Sequence, residues 1–407
     1  MRKASLGTIF LTVFIDLLGF GLVIPFLPGF ARQLGASDFV ASLTGAVYSL
    51  MQFLLVPLWG RLSDRVGRRP ILLCSIAATA GGMALLGFAN SLFLLFAARV
   101  WTGIATANIA VAQAYIADVT PEEGRARGMG LIGLAFGLGF ILGPFFGGEL
   151  ARVPLMGRAG TLPAFVASGL SIVNFVLAFF FLPESLSRSS REAPVHGARR
   201  SVFSLRSVRQ ALGHPDVGRV MGVNFLVVFW FAGMEQTFRL FTDDAFHMTA
   251  AGTGRVLGLV GITAAVIQGG LIGRLSRRFG EKKLLTTGLL VQTLGFFLLG
   301  LSAHVTWGAK VVLGAAAMAI AAGSGLCTPS ISSYVSRRTK RESQGMMLGS
   351  LQSLSALARV LGPAFGGLLY QTIAPSAPYY AGAAGMAIAA VLTIGLAPAT
   401  TPATNVV

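Results

Sequence analysis

Acidic residues are scarce in this sequence: 15 Asp and Glu stand against 32 Lys and Arg in 407 residues. Charge of either sign makes up only 12% of the chain, where a soluble domain carries about 25%. So little charge cannot cover a water-facing surface, which excludes an ordinary soluble protein. The net charge of +17 therefore does not indicate a nucleic-acid partner. Cysteine is nearly absent. Cys74 and Cys327 both fall inside apolar runs and are read as packing residues, with no disulfide framework or metal site. The four histidines, His196, His214, His247 and His304, lie in loops or near helix ends, which leaves carboxylates as the proton carriers of the interior. There is no nucleophile–base set, metal-ligand cluster or nucleotide loop. An enzyme is accordingly the least favoured class, and neither metal nor cofactor is expected.

What the chain does have is apolar length. It is 54% hydrophobic and carries 52 glycines, small residues that let helices approach closely in lipid. Twelve apolar runs of about 20 residues can be laid out, each long enough to cross a bilayer. The first six are expected at 6–28, 41–60, 71–89, 92–117, 128–150 and 163–182. The seventh spans 217–241, and the eighth and ninth flank a polar loop that ends Glu281-Lys282-Lys283. The last three are expected at 307–334, 346–370 and 380–397. Arg2 and Lys3 precede the first run with no cleavage site behind it, so it is expected to remain as a helix.

The polar stretch from Gly60 to Pro70, with four arginines and Asp64, is expected as a tight loop between two spans. It returns in degraded form from Gly273 to Gly280, where Arg277 replaces the aspartate. Gly143-Pro144-Phe145-Phe146-Gly147-Gly148 is likewise echoed by Gly362-Pro363-Ala364-Phe365-Gly366-Gly367. Each echo lies a little over half the chain away, the mark of an internal duplication. The expected fold class is thus an all-α membrane protein of twelve transmembrane helices in two pseudo-repeated six-helix halves. Residues 1–182 and 217–407 form the halves, and 183–216 a basic linker. Most Lys and Arg fall at the N-terminus, in the central linker and in the loops after even-numbered spans. That bias places both termini in the cytoplasm.

Few polar groups interrupt the spans, and each is a candidate site. Asp16 lies near the middle of the first span, where an ionised carboxylate must face a cavity or a partner such as Arg99 or Arg359. Arg99 is permanently charged, so it tunes a carboxylate or holds an anionic group. Glu235 and Arg239 are four apart on one helical face, either a simple ion pair or a second protonatable site. Arg359 has no partner evident in sequence, and Glu149 reads as a solvated helix end. Gln113, Asn174, Asn224, Gln268 and Gln292 are either substrate contacts or hydrogen bonds between helices.

The stretch Gly60 to Pro70 resembles the signature loop of the major facilitator superfamily. Gly137 to Gly148 resembles the fifth-helix motif of its proton-coupled antiporters, carried by Gly137, Gly143, Pro144, Gly147 and Gly148. Phe96-Ala97-Ala98-Arg99-Val100-Trp101-Thr102-Gly103 is similar to their fourth-helix arginine motif. The run Phe14-Ile15-Asp16-Leu17-Leu18-Gly19-Phe20-Gly21-Leu22-Val23-Ile24-Pro25 is similar to the tetracycline-efflux-like group of twelve-helix drug:proton antiporters. The resemblance covers essentially the whole chain. It links Arg99 to proton coupling; from their place in the membrane, Asp16 and Glu235 are read beside it as proton-coupling candidates, and Asp16, Gln113, Asn224, Gln268, Gln292 and Arg359 as candidates to line the substrate cavity. It further implies a conformational latch made by Gly60, Asp64, Arg65, Gly67, Arg68 and Arg69. Asp64 would meet the N-terminal end of the eleventh helix in the outward-facing state, with Arg65 and Arg69 completing the network. Tetracycline exporters carry acidic residues where this chain has Gly82 and Gln292, and a histidine where it has Ala264. Those differences argue against tetracycline itself as the substrate.

The expectation is a secondary transporter of the cytoplasmic (inner) membrane that exports small amphipathic, drug-like molecules by alternating access, as multidrug efflux and antibiotic-resistance carriers do. A proton gradient would be its energy source, and its partners would be a small-molecule substrate, protons and lipid, with the protein a monomer. The alternatives are a facilitative carrier or symporter for a metabolite or lipid, and a non-transporting membrane scaffold.

Overall fold

A computed structural model describes residues 6–106, 108–120, 125–158, 160–186, 215–339 and 341–396. Most of the expected linker, residues 187–214, lies outside the described residues. The N-terminal half consists of α1 (Leu6–Val23), α2 (Leu27–Gln33), α3 (Asp38–Val66), α4 (Arg68–Gly87), α5 (Leu92–Ala105), α6 (Asn108–Val119), α7 (Arg125–Leu150) and α8 (Thr161–Phe181). The C-terminal half consists of α9 (Pro215–Phe246), α10 (Ala250–Ala265), α11 (Ile272–Ser302), α12 (Ala309–Arg337), α13 (Arg341–Thr372) and α14 (Ala377–Ile394). A π-helical turn, Val266–Leu271, joins α10 to α11. Among the described residues, ten helical stretches are long and apolar enough to cross a membrane. One of them, Ala250–Ser302, turns at Gly280 and makes two crossings, and α13 supplies the remaining one. The described residues are therefore all-α, and these helices account for the twelve expected crossings.

Local chemistry sets several boundaries differently from the expectation. The first run breaks after Val23, because Pro25 lacks an N–H and disfavours a helical conformation in Ile24 before it. The fourth run is likewise interrupted after Ala105. There the Ile104 carbonyl accepts a bond from Trp59 Nε1 at 2.6 Å, and the Ala105 carbonyl accepts one from Ser75. The loop expected from Gly60 to Pro70 is almost entirely helix. Only Gly67, at φ 119°, leaves the helical path, and Pro70 sits in the first turn of α4, where its missing N–H costs nothing. Its echo behaves alike, since Gly280, at φ 76°, makes the turn in the C-terminal half.

The charges around these two turns are arranged with inverted polarity. In the first half Arg68, next after Gly67, donates to Ser63 at 2.6 Å and pairs with Asp64 at 2.5 Å and Asp118 at 3.1 Å. In the second half Glu281, next after Gly280, is 3% exposed and accepts from Ser333 at 3.0 Å and Arg337 at 3.1 Å. The Glu184 carboxylate, from the start of the expected linker, caps α4 by accepting from the backbone N–H groups of Arg68 and Arg69.

Duplication also governs helix packing. A Cβ at Gly143 would lie 2.6 Å from Gly21 Cα, and one at Gly147 would lie 2.0 Å from the Leu22 carbonyl oxygen. In the other half a Cβ at Gly362 would lie 2.2 Å from the Phe229 carbonyl oxygen, and one at Gly366 3.0 Å from Gly233 Cα. Glycine thus permits backbone contact of α1 with α7 and of α9 with α13.

The two halves meet at one end only. Along facing stripes of α7 and α10, Gly148 touches Ala251 and Gly254, and Ile141 touches Gly261. Further along the same stripes, a Cβ at Gly137, Gly133, Gly269 or Gly273 would meet nothing within 4 Å. The halves therefore splay apart toward the basic end, which carries the Gly67 and Gly280 turns. They are closed at the opposite end.

Candidate functional site

The closed end is held by ions and hydrogen bonds that cross the seam. Arg32 of α2 pairs with Asp38 of its own half and with Asp244 of α9. Asp244 also accepts the Tyr370 hydroxyl at 2.6 Å, and Gln371 Oε1 accepts the Phe39 N–H at 3.0 Å. Glu149, read from sequence as a solvated end, instead bridges Arg152 at 3.1 Å and Arg255 of α10 at 2.7 Å. A cavity of about 400 Å³ lies at this end, lined by Phe26, Phe30, Ala151, Arg239 and His247 among others.

Deeper in the seam, the intramembrane charges gather around Tyr48 of α3. Arg99 of α5 is 3% exposed, places its guanidinium 4.6 Å from the Tyr48 ring centroid and donates Nε to the Thr44 carbonyl at 3.1 Å. Thr106 Oγ1 donates to the Tyr48 hydroxyl at 3.0 Å. The ring of Phe20 stands 5.1 Å from that of Tyr48, with Phe140 beyond it. The charges of Arg99, Asp16 and Arg359 all act on the Tyr48 hydroxyl, and Glu235 acts in turn on Arg359. Asp16 and Arg99 come from one half and Glu235 and Arg359 from the other, so the cluster spans the seam. Arg359 feels the charge of Glu235 from its own half, although the two form no hydrogen bond or ion pair among the described residues.

The pairing of Glu235 with Arg239 does not form. Arg239 turns toward the closed end, where it pairs with Asp243 at 3.3 Å and donates to the Met248 carbonyl at 3.2 Å. Gln236, next to Glu235, presses on α3: a Cβ at Gly45 would lie 2.3 Å from its Cδ.

Among the cavity candidates, Gln113 of α6 is exposed, and so is Gln268, within the π-turn and beside Gly325 of α12. Asn224 and Gln292 are interior packing positions rather than lining. Asn224 donates to Ser355 at 2.7 Å, and Gln292 is 0% exposed and packed on Gly323. Asn174 bonds the Thr12 carbonyl at 2.9 Å inside the first half. Gly82 packs against α5: a Cβ there would lie 2.5 Å from Thr102 Cγ2 and 2.7 Å from Trp101 Cδ1.

Among the described residues, the latch residues pair only within the N-terminal half. Asp64 is exposed and pairs with Arg68, and Arg68 is the centre of the network. Arg65 is exposed, while Arg69 donates to the Phe179 carbonyl at 2.6 Å; Gly60 has open space around it. Of the helix-5 glycines, Gly143 and Gly147 pack on α1 beside Pro144, Gly148 meets α10, and Gly137 faces the open side. Sequence reasoning missed Tyr48 and the Arg32–Asp244 contact. Tyr48 stands among several polar side chains in the run of α3, including Thr44, Ser49 and Gln52, so nothing in the sequence singles it out.

Comparison with known proteins fits this geometry. A family model described as Major Facilitator Superfamily matches residues 9–321 and 240–406. Tetracycline resistance protein, class C, of Escherichia coli is 36% identical over 86% of this chain and 86% of its own length. Human major facilitator superfamily domain-containing protein 10 is 30% identical over 91% of this chain and 88% of its own. The crystal structure of that human protein, described as an organic anion transporter, superposes with a TM-score of 0.71 at 28% identity, covering 95% of this chain and 98% of that one. The chain is a membrane-integral secondary transporter that belongs to the major facilitator superfamily, with tetracycline resistance proteins among its relatives.

Proposed function

We propose that this transporter is a proton-coupled exporter of small amphipathic or drug-like molecules, working by alternating access in the cytoplasmic membrane with both termini in the cytoplasm. The observation that carries this reading is that intramembrane charges of both halves, Asp16 and Arg99 from the first and Arg359 from the second, act electrostatically on Tyr48, with Glu235 acting in turn on Arg359. Rocking of the halves changes the distances between those charges, and with them the proton affinity of each carboxylate. Asp16 binds a proton or the cationic group of a substrate in competition, which couples the two fluxes in opposite directions. The proton gradient is the sole energy source, the monomer is the working unit, and no nucleic acid or cofactor takes part. With the basic end facing the cytoplasm, the structure corresponds to the inward-open state, and engagement of Asp64 with α13 belongs to the outward-facing one.

Export of organic anions is the second reading. It is favoured by Arg359, whose guanidinium makes no hydrogen bond or ion pair among the described residues, and by the description of the human relative. One experiment separates the two. Everted vesicles energised by respiration are loaded with a pH-sensitive dye and given lipophilic cations, neutral drugs or organic anions, with wild type beside Asp16→Asn. Dequenching by cations or neutral drugs that is lost in the variant supports the first reading, and a response to anions alone supports the second. No response to any class, from folded protein, would leave a facilitative carrier or a scaffold.

A further inference from the structure

The cavity of about 400 Å³ at the closed end is built by both halves: Phe26, Phe30 and Arg152 come from the first, and Arg239, Asp243 and the start of α10 from the second. Ordinary small-molecule sites measure about 300–1,000 Å³. Part of its wall is apolar, with the rings of Phe26 and Phe30 edge to face at 6.2 Å. The polar part has more donors than acceptors. The carboxylates at this end are already engaged, Asp38 and Asp244 by Arg32, Asp243 by Arg239, and Glu149 by Arg152 and Arg255. Each guanidinium has five N–H donors, so donors are left over. Arg239 is the least satisfied. Its two contacts are long, 3.3 Å to Asp243 and 3.2 Å to the Met248 carbonyl, and its buried Nε has no acceptor. In the first turn of α10 the Thr249 hydroxyl caps only the Gly252 N–H, while Ala250 and Ala251 line the cavity.

We infer that this cavity is a binding site for a small aromatic carboxylate, which Arg239 and the first turn of α10 hold by its oxygens and Phe26 and Phe30 by its ring. A carboxylate supplies the acceptors that the lining lacks, and a charge-assisted bond to a guanidinium is among the stronger ones available. Because both halves build the wall, the site is complete only while they meet at this end. A ligand that binds one state alone stabilises that state, so the occupant holds the closed end shut and slows turnover. The site shares no residue with the charges around Tyr48, and it does not depend on what the protein carries through its centre.

The test uses benzoate as the probe, with benzylamine and benzyl alcohol as its cationic and neutral counterparts. Full-length protein in nanodiscs, with Cys74 and Cys327 replaced, carries one cysteine, either at Ala151 in the cavity or at Gly133 on the open side. Benzoate at ten times its half-protecting concentration is expected to slow maleimide labelling of the first about tenfold and not to slow the second. The amine and the alcohol are expected to protect neither. Adding Arg239→Gln should raise the half-protecting concentration about tenfold. Gly29→Leu should do the same by filling the space beside Arg239, since a Cβ there would lie 3.5 Å from its Nε. The two variants act differently, so failure of one to fold leaves the other. No protection at Ala151, equal protection by benzylamine, or protection that both variants leave intact would overturn the inference. Protection at Gly133 alone would place the anion on the open side and overturn it too. Dequenching in energised vesicles tests the export reading separately, so either can fail alone.

Discussion

Arg32 holds Asp244 across the seam between the halves, Nη1 on Oδ1 and Nη2 on Oδ2, each at 2.7 Å. Its Nε simultaneously donates to Asp38, also at 2.7 Å, so one guanidinium ties α2, α3 and α9 together. A two-pronged contact of this kind adds direction to attraction, and breaking it should release the closed end. In Asp244→Asn the closed end should open more often, by roughly fivefold if the partly exposed pair contributes about 1 kcal/mol. A cysteine at Ala151, which lines the cavity at that end, reports it once Cys74 and Cys327 are replaced. Labelling by a membrane-impermeant maleimide should accelerate by that factor. An unchanged rate would mean that packing, not this ion pair, keeps the end shut.

Glu235 and Arg359 should behave as a unit. Glu235→Gln and Arg359→Met each leave a partner charge in the membrane without its counter-charge, while the double variant leaves neither. The expected result is non-additivity of about 1–3 kcal/mol in unfolding measurements, with the double variant more stable than the sum of the singles predicts. Strict additivity would show that the two charges do not feel one another.

Arg68 concentrates three contacts at the basic end, to Ser63, Asp64 and Asp118. Arg68→Ala strands the Asp118 carboxylate and should lower Tm by several degrees, an effect of about 2 kcal/mol. At the inverted site in the other half, Glu281→Arg should be comparably damaging, and Arg337→Glu added to it should restore much of the loss by re-forming the pair with reversed sign. Failure of the exchange to restore stability would mean that the Glu281 site tolerates only one polarity.

The glycine contacts give a steric prediction. Gly143→Val and Gly362→Val place methyl groups where backbone atoms of α1 and α9 lie within 3 Å of a bare Cβ. Each should cost about 1–3 kcal/mol or prevent folding, since the contacts are with main chain that cannot rotate away. Gly133→Val, on the same helix α7 but facing open space, serves as the control and should leave the yield of folded protein unchanged.

Much of this architecture could be read in advance because it is local. Apolar run length locates a crossing without knowledge of its neighbours, and Gly67 and Gly280 mark their turns because only glycine adopts such φ values at little cost. The boundaries that differed were set by local chemistry not weighed in the run lengths, such as Pro25 after α1. The difference at Gly60 to Pro70 has another origin: arginines extend a helix readily once it leaves the membrane, so polarity alone does not mark a loop.

The sequence by itself determined the class of the protein, its duplicated halves and which few charges the membrane interior holds. Tertiary structure decided which of those charges meet. Glu235 and Arg239 are four residues apart yet face different partners, whereas Glu235 and Arg359, or Arg32 and Asp244, are brought together from distant helices. Helices that are apolar on nearly every face carry little periodic record of their rotation, so the direction of a buried side chain is fixed only when its neighbours pack around it. Tyr48 gains its place beside Arg99 in that way, through glycine contacts that set the spacing of helices and not through any motif of its own.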